Sequence, residues 1–228
     1  MIIKVFENEN FVICNKPSGV LSTPSRFEAQ DERGCLGTEL QKSLGLQIYP
    51  VHRLDFEVSG LVMYAKNAEA HRKANGWFEN RQVEKTYRAQ TQHQNFEHWP
   101  VEVENPRWPI DLKEKSHFEW KGKLLKGKRR AYSSPHGKPT LTVADYLGVD
   151  SSGALQWDLH PVTGRSHQLR FDLSRHGFPI LGDRLYGSKV ALKDQRIALC
   201  SYRIEFSKAP GADQLGLPSV VEISALFE

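Results

Sequence analysis

The sequence predicts an α+β fold, a mixed or antiparallel central sheet with flanking helices, and three observations carry that prediction. Short β-branched and aromatic runs recur along the chain, few segments have helical spacing, and the links between them are short. No segment repeats, none is of low complexity and no composition shift marks a linker, so residues 1–228 are expected to form a single domain.

Taken in order, residues 2–6 (IIKVF) and 11–15 (FVICN) read as strands separated by ENEN, and Lys16-Pro17-Ser18-Gly19 ends the second. Gly34 to Leu44 sets Leu36, Leu40 and Leu44 at helical spacing, with Gly45 as a C-cap. A strand from Gly60 to Ala65 is followed by a helix over Asn67–Asn80, with Asn67 as its N-cap. Val83 to Thr91 alternates as a half-buried strand does, placing Val83, Lys85, Tyr87 and Ala89 on one face. From Gln92 to Pro139 the pattern weakens: prolines at 100, 106, 109 and 135, several tryptophans and a basic run predict an irregular excursion. Strands resume at Thr140–Leu147 and Ala154–Leu159 around a Ser151-Ser152-Gly153 turn. Pro161-Val162-Thr163-Gly164 then leads into a helix from Arg165 to His176, stopped by Gly177 and Pro179. Strands near Arg196–Phe206 and Val220–Leu226 complete the chain.

Composition narrows the function classes. Hydrophobic content of 39% with 25% charged residues is that of a globular protein, not a disordered one. No apolar run approaches the roughly 20 residues a membrane helix needs, and MIIKVFENEN lacks a secretory core, so a cytoplasmic protein is expected. Three widely spaced cysteines with no Cys-x-x-Cys pair argue against a disulfide framework or structural zinc, and the nine histidines form no metal motif. No metal, no cofactor and no membrane partner is expected, and a monomer is the default. The net charge of +4 is uneven: KGKLLKGKRR carries Lys121, Lys123, Lys126, Lys128, Arg129 and Arg130 with no acid. Such a run attracts a polyanion, although its plainer reading is a solvated loop.

The segment VHRLDFEVSGLV (residues 51–62) sets His52, Arg53 and Asp55 against a run that otherwise reads as buried. At the edge of a core strand Asp55 would be desolvated, which favours the neutral acid, so a cation must keep it ionised. Arg53 and Arg165 are the two candidates. The plainer reading is a buried Arg–Asp pair joining two elements; the functional one is an aspartate held charged in a cleft as a nucleophile or base. Tyr87 on a strand beside Lys85, together with the basic run, supplies aromatic and cationic groups suited to a nucleic acid.

Lys16-Pro17-Ser18-Gly19, His52-Arg53-Leu54-Asp55 with Ser59-Gly60-Leu61, Lys85-Thr86-Tyr87-Arg88-Ala89, and Thr163-Gly164-Arg165-Ser166-His167-Gln168-Leu169-Arg170 followed by Gly182-Asp183 together resemble the RluA family of pseudouridine synthases. The resemblance implies the pseudouridine synthase catalytic fold and an enzyme that isomerises uridine in transfer or ribosomal RNA without cofactor or metal. It assigns the catalytic carboxylate to Asp55, whether by attack on the ribose, by assisting loss of the base to a glycal, or by addition to the ring. It assigns Tyr87 to stacking on the uracil and helping to remove the ring carbon 5 proton, Arg165 to pairing with the aspartate, and Leu169 to lining the pocket. Arg53 matches the arginine that fills the space left by a flipped nucleotide, with His52 shaping the same loop. Lys16 and Lys85 stay open between structural and RNA-contacting roles. Lys126, Lys128, Arg129 and Arg130 are expected to contact RNA phosphates. Val58, Ser166 and Phe171-Asp172 depart from the family pattern, a difference expected to affect packing more than chemistry. The space before residue 16 leaves no room for a separate RNA-binding domain, so selection is expected from the catalytic domain. Two rivals are a non-catalytic RNA-binding protein on the same fold and a glycoside or nucleoside hydrolase. The second lacks the carboxylate pair that standard glycoside hydrolysis uses.

Overall fold

The computed structural model describes residues 2–25, 31–96, 110–225 and 227. They fall into two compact units, Met1–Lys85 with Cys200–Glu228, and Thr86–Leu199.

In the first unit, β1 (Ile3–Glu7), β2 (Phe11–Lys16), β4 (Ser59–Ala65) and β10 (Leu199–Glu205) lie side by side, with β3 (Tyr49–Pro50) on β4 and β11 (Val220–Glu222) on β10. β4 runs parallel to β10 and antiparallel to β2, so this sheet is mixed. β2 and β4 are buried nearly throughout and supply Phe11, Ile13, Leu61 and Met63 to a core. Helix α2 (Ala68–Glu79) closes that core with Ala70, Ala74 and Trp77, and the Trp77 indole N–H is satisfied by the Pro210 carbonyl at 3.0 Å. The Asn67 side chain caps α2 by accepting from the Ala70 N–H at 2.8 Å, as the sequence predicts. Helix α1 (Leu36–Leu44) ends at Gly45, whose φ of 63° is the left-handed cap that glycine adopts freely. Gly60 sits against β10: a Cβ there would lie 2.3 Å from the Ser201 carbonyl oxygen, so the glycine of the Ser59-Gly60 block is what lets the two strands approach.

In the second unit, β5 (Glu84–Thr91), β9 (Leu155–Pro161), β8 (Lys138–Val149), β6 (His117–Lys126) and β7 (Ala131–Ser133) form an antiparallel sheet in that spatial order. Helix α3 (Gln168–Arg175) is buried along its whole length. Among its residues, Arg170 is 2% exposed and pairs bidentately with Asp183 at 2.6 and 2.8 Å, which answers the burial of both charges.

Two expectations are corrected. The stretch read as an irregular excursion contains β6 and β7: Leu124 and Ala131 lie in a small core with Phe171 and Tyr186, while Lys121 and Lys123 at the alternate positions are exposed. Phe118, Trp120, Gly122 and Leu124 alternate with the exposed His117, Glu119, Lys121 and Lys123, a strand period that the basic charge and the prolines of the stretch overshadowed. Residues 97–109 of that stretch, with its Pro100, Pro106, Pro109 and two of its tryptophans, lie outside the described residues, as does Leu226 of the last predicted strand. The third helix begins at Gln168, not Arg165, because His167 before it is in the left-handed region with φ 55° and breaks the helical path. No helix among the described residues is long and apolar enough to cross a membrane.

Candidate active site

The first unit carries His52, Arg53 and Asp55 in the loop between β3 and β4. The sequence set Asp55 at the edge of a core strand; in the structure this loop buries Leu54 and Val58, leaves His52 and Asp55 half-buried and exposes Arg53. Several backbone groups of this loop are bonded to the segment that follows β2. Gly19 N–H donates to the Phe56 carbonyl at 2.9 Å, and the Ser18 hydroxyl donates to the Glu57 carbonyl at 2.6 Å. The Ser22 hydroxyl accepts from the Leu54 N–H and donates to the Leu54 carbonyl, both at 3.0 Å, while the Tyr64 hydroxyl holds the Ser22 carbonyl at 2.7 Å. Asp55 itself accepts through its carbonyl from the Val58 N–H at 3.2 Å, closing a tight turn.

Lys16 lies under the loop. Its ammonium is fully buried and donates to the carbonyls of Pro17 and Val20 at 2.8 Å and of Phe56 at 3.4 Å. Burial pulls its pKa down to about 8, against the opposing attraction of the Asp55 and Glu57 carboxylates. The Lys-Pro-Ser-Gly block is therefore the clamp of the Asp55 loop, which decides the role of Lys16 that its position in the sequence left open. Lys16, Ser18 and Gly19 lie in the Lys-Pro-Ser-Gly motif; Ser22 had no sequence signal.

His52 is held from the other side. Its Nε2 accepts from the Met63 N–H at 3.2 Å and its ring stacks on Phe78 with centroids 5.1 Å apart. Burial first, and the Lys85 charge second, push its pKa down to about 3, so the imidazole is neutral and acts as a spacer in the loop.

The second unit carries Tyr87, Arg165, Leu169 and the basic run. Tyr87 lies on β5 opposite Leu159 of β9 and is 7% exposed. Arg165 sits in the loop ahead of α3, where its Nε donates to the Pro139 carbonyl at 3.2 Å. Its main chain is fixed by Gln168, whose Oε1 accepts from the Arg165 N–H at 3.1 Å and from the Thr163 hydroxyl at 2.8 Å. The Gln168 amide cannot flip, since its Nε2 donates to the Leu141 carbonyl at 3.1 Å and to the Thr142 hydroxyl at 2.8 Å. Thr142 in turn donates to the Asp172 carboxylate at 2.7 Å. Asp172 is fully buried, and burial raises its pKa to about 7 despite the Thr142 hydrogen bond and the Arg175 charge. Asp172, noted only as an unusual helix residue, is thus the end of a polar chain that orders the Arg165 loop. Leu169 is buried on the same helix.

Lys126, Lys128 and Arg129 are exposed at the β6–β7 turn, while Arg130 is partly buried and donates to the Leu185 carbonyl at 3.4 Å.

A sequence model of the RNA pseudouridylate synthase family matches residues 10–175. The dual-specificity RNA pseudouridine synthase RluA of Salmonella typhimurium (strain LT2) is 33% identical over 200 residues, covering 84% of this chain and 80% of that protein. The protein of the same name from Escherichia coli K12 is 32% identical over 199 residues, 83% of this chain and 79% of its own length. Among solved structures, human RNA pseudouridylate synthase domain containing 1 superposes with a TM-score of 0.67 at 21% identity, over 91% of this chain and 79% of that one. Human RNA pseudouridylate synthase domain containing 4 gives 0.64 at 19%, over 97% and 88%. These two likenesses bear on the α+β fold.

Proposed function

The chain belongs to the RNA pseudouridylate synthase family and is an RluA-type RNA pseudouridine synthase, and from that premise we propose that Asp55 is its catalytic carboxylate. The observation that supports this is the Asp55 loop itself. A half-buried carboxylate is carried on a turn whose neighbours are bonded to Lys16, Ser18, Gly19 and Ser22, above a buried ammonium that its charge attracts. A group that must meet a reacting atom gains from such fixing, because little motion remains to be lost in the transition state.

The isomerisation breaks the bond between the ribose and the uracil ring nitrogen and makes one from the same ribose carbon to ring carbon 5. Carbon 5 loses its proton and the freed nitrogen gains one, so nothing is oxidised or reduced and no outside reactant is consumed. A carboxylate can assist departure of the base by bonding to, or stabilising charge on, the carbon it leaves. We assign Tyr87 to stacking on the uracil and to the carbon 5 proton, Arg165 to the charge of Asp55, and Leu169 to the apolar wall. Arg53 is exposed on the same loop as Asp55 and free of burial cost, which suits a side chain that replaces an extruded base. The substrate class proposed is transfer or ribosomal RNA, met by a cytoplasmic monomer, with Lys126, Lys128, Arg129 and Arg130 contacting phosphates.

The test is tritium release from RNA labelled at uridine carbon 5, with unmodified transfer and ribosomal transcripts offered separately. Wild type is expected to release tritium and Asp55→Asn protein to release none above background. Release by Asp55→Asn at the wild-type rate would remove Asp55 from the chemistry, and RNA binding without release by wild type would favour a binding protein.

A further inference from the structure

Two desolvated lysines adjoin the Asp55 loop, and their surroundings differ. Lys16 gives its donors to three carbonyls and has Asp55 and Glu57 in its field. Lys85, at the start of β5, has its Nζ 5.5 Å from the centroid of the Phe78 ring, and that ring stacks on His52. Among the described residues its ammonium meets no carboxylate and no carbonyl, and an aromatic face is a weak substitute for either. His52 offers it nothing: the imidazole is neutral, with Nε2 already accepting from Met63, and its other nitrogen is buried without a partner. The row Lys85, Phe78, His52 therefore holds two donors and no free acceptor.

The geometry points to Lys85 as a phosphate-binding residue, whose ammonium receives a backbone phosphate of the RNA strand at the modified nucleotide. This rests on the reading of Asp55 and Tyr87 as substrate-side residues, since Lys85 is two positions before Tyr87 on the same face of β5. Four considerations favour an anion, and a compact one. Desolvation by itself draws the Lys85 pKa down to about 8, with no carboxylate opposing it, so the charged form lacks compensation until an anion arrives. An ammonium on a flexible stem presents a point charge with three donors, which suits a phosphate oxygen more than a flat carboxylate fork. The one polyanion that the reaction itself brings to this loop is RNA. A half-buried cation without a partner is an expense in stability that a purely structural position would have replaced by an apolar side chain.

The experiment measures RNA affinity in an Asp55→Asn background, so that no turnover intrudes, using an unmodified transfer RNA transcript from 50 to 300 mM potassium chloride. Lys85→Gln is expected to weaken binding several-fold and to make the slope of log affinity against log salt shallower by about 0.7, the share of one single-strand phosphate contact. Lys85→Arg is expected to keep the wild-type slope. Lys85→Met, read by thermal unfolding without RNA, is expected to melt at or above the wild-type temperature. Unchanged affinity and slope in Lys85→Gln would overturn the inference, and so would a Lys85→Met protein that melts well below wild type, because the ammonium would then be serving the fold. If wild type binds this transcript with a Lys85-dependent slope yet forms no pseudouridine in any transcript, the catalytic reading fails while the phosphate contact stands. Turnover with a Lys85-independent slope gives the converse.

Discussion

Asp172 offers a perturbation whose size and pH window both follow from its surroundings. The carboxyl is fully buried, accepts from Thr142 at 2.7 Å and titrates near 7 where an exposed aspartate titrates near 3.8. Its folded pKa lies above its unfolded one, so its contribution to stability is fully present below about pH 4, declines as the pH rises, and is gone above about pH 7. Each pH unit in that window removes about 1.4 kcal/mol, and between pH 5 and pH 7 the loss is about 3 kcal/mol. Asp172→Asn keeps the shape and an oxygen to accept from Thr142 but has no charge to form. Relative to wild type it is therefore expected to gain about 3 kcal/mol between pH 5 and pH 8, which for a chain of this size is roughly 6–12 °C in Tm. The assay is thermal unfolding of both proteins by circular dichroism at the two pH values. Comparing the pair cancels every other titrating group. A difference in Tm that stays constant between pH 5 and pH 8 would refute the argument, since it would mean Asp172 does not change its charge there.

The buried Arg170–Asp183 pair predicts that Asp183→Ala destabilises by about 3–5 kcal/mol by stranding a guanidinium, with Arg170→Met/Asp183→Ala recovering part of the loss in urea unfolding. Gly60→Ala is expected to abolish soluble expression or to lower Tm sharply, because φ is +112° and the new methyl would meet the Ser201 backbone at 2.3 Å; a normal melting curve would contradict the close approach of β4 and β10. Replacing Lys126, Lys128 and Arg129 by glutamine should weaken RNA binding and flatten its salt dependence by about 0.7–0.9 for each phosphate contact removed, with stability unchanged since all three are exposed. An unaltered salt slope would return the run to a solvated turn.

What was legible in the sequence was whatever had a local cause. The alternation of Val83–Thr91 appears as β5, Asn67 caps α2, Gly45 ends α1, and the helix and strand around residues 59–80 fall within a residue or two of their predicted ends. In each case the signal is a period, a cap or a left-handed glycine, set by neighbours a few residues away. The family blocks were legible for a related reason: each is a short, contiguous run of residues whose order along the chain can be read without knowing what they touch.

What only the tertiary structure decided depends on partners far apart in the chain. The pairing of β6 with β8 and the packing of its Leu124 against Phe171 and Tyr186 are contacts that its own alternation does not name. Asp55 stands on a turn rather than a strand because Ser18, Gly19 and Ser22, more than thirty residues earlier, take up the backbone bonds of its loop. Lys16 and Lys85 look alike as letters, each a lysine at the edge of a strand within a short motif. They part only when the carbonyls of Pro17, Val20 and Phe56 close around the first ammonium and an aromatic ring alone faces the second. Local propensity sets which backbone states a segment prefers, whereas the state of a charge is set by the solvent and partners that the fold removes or supplies, and those are not encoded at any single position.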